Sequence, residues 1–337
     1  MRLLTAFALV VSLAAPVAAD PARLVDQALS RHVLPGFAIL TQKANELAAA
    51  AETDCKPEAA SLREAYGNAF DAWLGVSHLR FGPTEVDSRG FALAFWPDPR
   101  SKASKALRQL ILAEDPIVTS PDDFMNLSVA ARGFYALERM LYDPGVQSLG
   151  TDGYRCQLTI AIARDIALTS ALIEAEWIES YAPLMRAAGP GNATYATPRE
   201  AVKELFKSVS SGLQFTSELR LGRPLGTFDR PRPKRAEARL SERSLKNAVL
   251  SVEANGALAD ILSQDYPQID IMLAEAVELI KAQAGDLDPV FAMVSAPSDR
   301  IKVEIFQQSI NEMRVILGGE LGPALGVSQG FNALDGD

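Results

Sequence analysis

The chain has 337 residues, 48% of them hydrophobic, and carries 42 acidic against 33 basic side chains for a formal charge of −9. That balance argues against nucleic acid or an anionic membrane as the main partner. The length exceeds the size at which one hydrophobic core usually keeps growing, so two domains are expected.

The first residues read MRLLTAFALVVSLAAPVAAD: a basic start at Arg2, an apolar run from Leu3 to Ala15, then small residues before Asp20. This is the pattern of a secretory signal peptide over residues 1–19, cleaved near Ala19, and it predicts a protein of the periplasm or cell envelope. No cysteine lies near the cleavage point, so no lipid anchor is expected there. No later run approaches the roughly 18 apolar residues of a membrane helix, and no transmembrane segment is predicted.

Strand signals are nearly absent and spacings of three and four recur. Leu24, Ala28 and Leu29, followed by Phe37, Leu40, Ala44 and Leu47, predict a long first helix kinked at Pro35. Leu62, Tyr66, Ala69, Phe70, Trp73 and Val76 form one stripe of a second helix. Cys55 and Cys156 are the only cysteines. In an oxidising compartment a disulfide is the expected state, with free buried thiols or soft metal ligands as the alternative.

Residues 80–100, RFGPTEVDSRGFALAFWPDPR, are too long and aromatic for a simple connector and read as a compact or functional loop. Within it Phe91, Phe95 and Trp96 either line a pocket or anchor the loop. Asp98 and Arg100 either pair or cap the next helix. Ser120-Pro121-Asp122-Asp123 gives an N-cap, a proline in the first turn and two acids, predicting a helix that buries Phe124, Leu127, Ala131 and Phe134 and runs on through GFYALERMLYD at 133–143.

A further helix runs from about Asp152 to Trp177, and the Gly-Pro-Gly-Asn segment ending at Asn192 breaks the chain. This places a boundary between a bundle over 20–190 and a second over 191–337. Thr197-Pro198-Arg199-Glu200 restarts with a capping box like the start at Ser120, which hints at duplication. The basic, proline-rich residues 220–244 read as a solvated interhelical loop, or as a local anion or partner surface. Helices follow at about 245–262, 267–284 and 299–317, and the chain closes on the acidic tail GFNALDGD at 330–337.

No nucleophile elbow, phosphate-binding loop, HExxH pair or EF-hand loop occurs. His32 and His78 are the only histidines, too few with two cysteines for a Cys/His zinc site. On a helix Tyr135 and Glu138 share a face, and both are hard oxygen donors suited to Fe(III). The alternative is a Tyr135 that tops the core and a Glu138 paired with Arg132 or Arg139.

RFGP at 80–83, AFWPDPR at 94–100, SVAARGFYALERMLYD at 128–143 and the terminal GFNALDGD together resemble the imelysin family of exported bacterial proteins, associated with iron uptake and labelled metallopeptidases. The resemblance implies an all-α protein of two helical-bundle halves around a central cleft. The family motif is Gly-x-His-x-x-Glu. Here Gly133 and Glu138 match it, while Tyr135 stands in place of the histidine, which weakens a peptidase site and leaves a ferric one chemically open. The expected function is binding of a metal ion or small ligand, or of another envelope protein, with iron as the candidate cofactor. The candidate metal ligands are Tyr135 and Glu138, and the candidate ligand contacts are Arg80, Trp96, Asp98, Arg100, Gly133, Asp335 and Asp337. A metal-dependent peptidase and a metal-free envelope adaptor are the competing readings.

Overall fold

The computed structural model describes residues 20–327, so the leader and the tail with Asp335 and Asp337 lie outside the described residues. Among the described residues the fold is all-α, with a single isolated β-bridge between Thr227 and Arg230.

The first predicted helix is α1 (Pro21–Ala28) and α2 (Leu34–Thr53), joined without a break by a wide π turn over Leu29–Val33. Its predicted stripe, Leu24 through Leu47, is buried throughout. Similar π turns occupy Trp177–Tyr181, Thr216–Leu221 and Leu317–Leu321, each two or three residues before Pro183, Pro224 or Pro323, as the first precedes Pro35. A proline ring collides with the carbonyl four residues earlier, and a wider turn at that point makes room for it. The prolines therefore reshape these helices without ending them.

Helix α3 (Ala60–Val76) buries the whole predicted stripe and packs on α2, which also packs on α4 (Asp152–Glu176). The Cys55–Cys156 disulfide ties the chain just after α2 to the second turn of α4, with Cα atoms 5.2 Å apart. Helix α4 runs through its π turn to Arg186 and is long and apolar enough to cross a membrane. It is instead a core helix: 61% of its apolar window is buried inside the fold.

The continuous helix expected from Ser120 to Tyr142 does not form. One turn, Pro121–Phe124, is followed by a 3-10 turn at Val129–Ala131, and a separate helix α5 starts at Gly133 and ends at Tyr142. The cause is Arg132, whose backbone is extended while its buried guanidinium takes Asp165 of α4 through Nε and Nη2 at 2.9 and 2.7 Å. Gly133 then turns with φ +73°. A Cβ there would overlap the carbonyl oxygens of Ala92 and Leu93, so the motif glycine admits this protein's own backbone.

The connection at 187–197 is a turn held by Asn192, whose side chain donates to Leu184 O and accepts from the amides of Thr194 and Tyr195. Helix α6 (Pro198–Phe215) follows. Thr197 makes no side-chain cap; Glu200 reaches back instead to the Ala196 amide at 2.6 Å, so the expected capping box is only half built. Helices α7 (Ser244–Ser263), α8 (Pro267–Ala284) and α9 (Pro297–Ile316) match the predicted spans closely. Helices α7 and α9 pack with α6 and α8 packs on α7 and α9, while α1 crosses from the beginning of the chain to lie on α6 and α7, and α3 also packs on α7.

Residues 226–230, 234, 235 and 239 are exposed, as expected of a solvated loop, but the two ends of the segment 220–244 depart from that expectation. Arg220, Glu237, Arg243 and Ser244 are buried, because the charged groups arrive already paired: Arg220 with Glu237, and Arg243 with Asp71.

Candidate functional site

Residues on either side of position 190 enclose a cavity of about 670 Å³. One side is the end of α3 with residues 77–97 and Tyr135; the other is α6, its π turn, Glu237 and Ser251.

The floor is a chain of buried polar groups. Tyr135 donates its hydroxyl to Glu237 Oε1 in a short hydrogen bond. Glu237 Oε2 accepts from Arg220 Nε at 2.7 Å, and Arg220 Nη1 donates to Thr216 Oγ1 and Ser251 Oγ, both at 3.1 Å. The π turn over Thr216–Leu221 is what brings Arg220 onto this line. Burial, and then the Glu237 carboxylate, pushes the Tyr135 phenol well above its ordinary range, so it stays protonated and donating.

Glu138 lies behind this chain and outside the cavity wall. Its Oε1 accepts from the Ser241 amide at 2.9 Å and the Ser241 hydroxyl at 2.7 Å. Burial raises its pKa, and the Ser241 hydrogen bonds work against that rise. Neither arginine expected to pair with it does so: Arg132 is held by Asp165, and Arg139 pairs with Asp143 at 2.9 Å. The shared helix face of Tyr135 and Glu138 thus leads to two different partners, both supplied by residues 237–241.

Of the other candidates, Arg80 and Trp96 line the cavity. Arg80 pairs with Glu85 and lies 4.7 Å over the Phe91 ring. Trp96 faces Tyr135 with ring centroids 6.5 Å apart, touches Phe215 at 5.9 Å and carries Arg223 on its other surroundings at 5.6 Å. Asp98 caps the helix Lys102–Ala113, accepting from the amides of Lys102 and Ala103 at 2.9 and 2.8 Å. Arg100 is exposed, and Gly133 packs under residues 92 and 93; neither reaches the wall.

The two histidines meet. His32 Nε2 and His78 Nε2 are 3.1 Å apart, and His78 also lines the cavity. Burial lowers the His32 pKa to about 4 and, with His32 beside it, lowers His78 as well.

The family model for imelysin, peptidase M75, matches residues 33–317. The chain belongs to the imelysin family. Its fold is similar to the crystal structure of an imelysin-like protein from Psychrobacter arcticum 273-4, with TM-score 0.79 and 17% identity over 94% of this chain and 100% of that one. It is also similar to a protein from Parabacteroides distasonis ATCC 8503 provisionally named iron-regulated protein A precursor, with TM-score 0.75 and 12% identity over 93% and 97% of the two chains. No curated protein matches the sequence.

A resident zinc or iron ion does not fit the donors around the motif. Tyr135 and Glu237 offer two hard oxygens, but Arg220 holds the second oxygen of Glu237 and Ser241 holds Glu138. Among the described residues no three His, Cys, Asp or Glu side chains are grouped to hold a metal. Glu237, Arg220 and Ser241 were not among the residues singled out from sequence. The one signal was a lone glutamate inside the basic run PRPKRAEAR.

Proposed function

We propose that this imelysin is an exported, non-catalytic binding protein acting in iron acquisition or cell-envelope traffic, with its ligand in the cavity between the two halves of the chain. The observation that carries this reading is the cavity itself. Its volume is that of a small-molecule site, its wall carries six aromatic rings, and Tyr135, Glu237, Arg220 and Ser251 form one connected polar chain on it. The iron connection rests on the family's association with iron uptake and on the name of the Parabacteroides relative.

A metallopeptidase needs a metal with an open coordination position. The donor set at Tyr135 gives that reading no support. An adaptor docking through residues 91–96 has less support, because Trp96 lines the cavity and leaves Phe91, with Arg80 over one face, as the exposed ring of that segment.

A thermal-shift measurement with small-molecule extracts of iron-starved cells tests the proposal. Ligand at about one hundred times its Kd stabilises the folded state by about 2.7 kcal/mol. The melting temperature of the wild type should rise with extract and that of Trp96→Ala should not. Equal shifts in both proteins, or none with any extract, would count against the binding role.

A further inference from the structure

Resting on that reading of the cavity, we infer that its ligand is an uncharged or zwitterionic organic molecule with a flat apolar body and one hydrogen-bonding end, and not a bare metal cation or an organic anion. Three features carry this.

The first is size. A cavity of about 670 Å³ far exceeds what a single ion occupies and suits a drug-sized molecule. The second is the balance of charge on the wall. Arg80, Lys207 and Arg220 face Glu85, Glu204 and Glu237, three cations against three carboxylates, for a formal sum of zero. Arg80 is paired with Glu85 and Arg220 with Glu237, so the lining charges leave no excess of either sign to recruit an ion. Tyr135 and His78 add no charge, since burial keeps the phenol protonated and the imidazole neutral.

The third feature is the distribution of chemistry. Trp73, Phe81, Phe91, Trp96, Tyr135 and Phe215 supply aromatic surface. Hydroxyls of Tyr135 and Ser251 gather with Arg220 and Glu237 at the floor. Flat apolar groups gain by contact with such rings, and a ligand's polar end can exchange hydrogen bonds with the floor. A highly charged guest would have to leave water for a wall already neutralised. Iron carried by such a site would travel inside an organic chelate.

The test is a titration with N-phenyl-1-naphthylamine, a neutral aromatic probe, against 8-anilinonaphthalene-1-sulfonate, its anionic analogue, and ferric citrate. The neutral probe should bind saturably and quench tryptophan emission. Binding should weaken at least tenfold in Trp96→Ala and in Ser211→Trp, which fills the cavity from α6, with circular dichroism confirming that each variant is folded. The sulfonate should bind at least tenfold more weakly, and ferric citrate should displace neither probe. Tighter binding of the sulfonate would overturn the inference. So would displacement by ferric citrate with an iron–tyrosinate band that Tyr135→Phe abolishes, or probe binding unchanged in both cavity variants. Absence of probe binding overturns the ligand class; if the extract-induced thermal shift persists, the binding role stands without it, and loss of both removes both.

Discussion

The His32–His78 contact makes the protein's stability depend on pH in a way that can be worked out. Burial lowers His32 from the ordinary imidazole value of 6.5 to about 4. Between those values the unfolded chain binds a proton that the folded chain refuses, so acidification favours unfolding. The stability this group protects is intact above about pH 6.5 and drains away as pH falls toward about 4. A gap of about 2.5 in pKa, at about 1.36 kcal/mol for each pH unit, sets a ceiling of about 3.4 kcal/mol, of which about 3 kcal/mol is lost by pH ~4. His78 acts in the same direction. Glu138 and Asp165 act in the opposite one, because burial raises both carboxyl pKa values and the folded state then holds protons more tightly. Comparison with a His32→Gln variant cancels the Glu138 and Asp165 contributions and reads the His32–His78 pair. Urea unfolding from about pH 7 down to about pH 4 should show the wild type losing about 3 kcal/mol more than the variant. Parallel pH profiles, agreeing within about 0.5 kcal/mol, would refute the assignment of a neutral, half-buried His32.

Further outcomes follow from the same contacts. Gly133→Ala should destabilise by about 2–5 kcal/mol in chemical denaturation, since it combines a positive φ with overlap against two backbone carbonyls. Glu237→Ala, which strands the buried Arg220, should cost about 3–5 kcal/mol, whereas the cost of Tyr135→Phe should be near that of one hydrogen bond, about 1 kcal/mol. Replacing both Cys55 and Cys156 by serine, which opens a connection spanning 101 residues, should lower stability by about 4–5 kcal/mol, and reducing agent should lower the wild-type melting temperature but leave the variant's unchanged.

The helical architecture was legible in the sequence wherever one stripe faces one core, as in the run from Leu62 to Val76. Periodicity could not see that the helix begun at Pro121 breaks before Gly133, because the break is made by Arg132 reaching Asp165, 33 residues away. The same limit applies to the site. Tyr135 and Trp96 stood out from their neighbours and do line the cavity. Glu237 is 102 residues from Tyr135, in a segment whose basic composition reads as solvated, and only the fold pairs its charges out of sight. Asp98 looked functional for the same reason that it makes a good cap: a carboxylate beside proline, just ahead of a helix. The two histidines, 46 residues apart on different helices, gave no sign in their spacing that they meet.

The most direct test of the account is native mass spectrometry of the protein isolated gently from the cells that make it. The account predicts a non-covalent organic adduct of drug-like size that survives chelator treatment and is absent from Trp96→Ala. A wild-type protein that carries only the mass of a metal ion, released by chelator and lost in Tyr135→Phe, would contradict it.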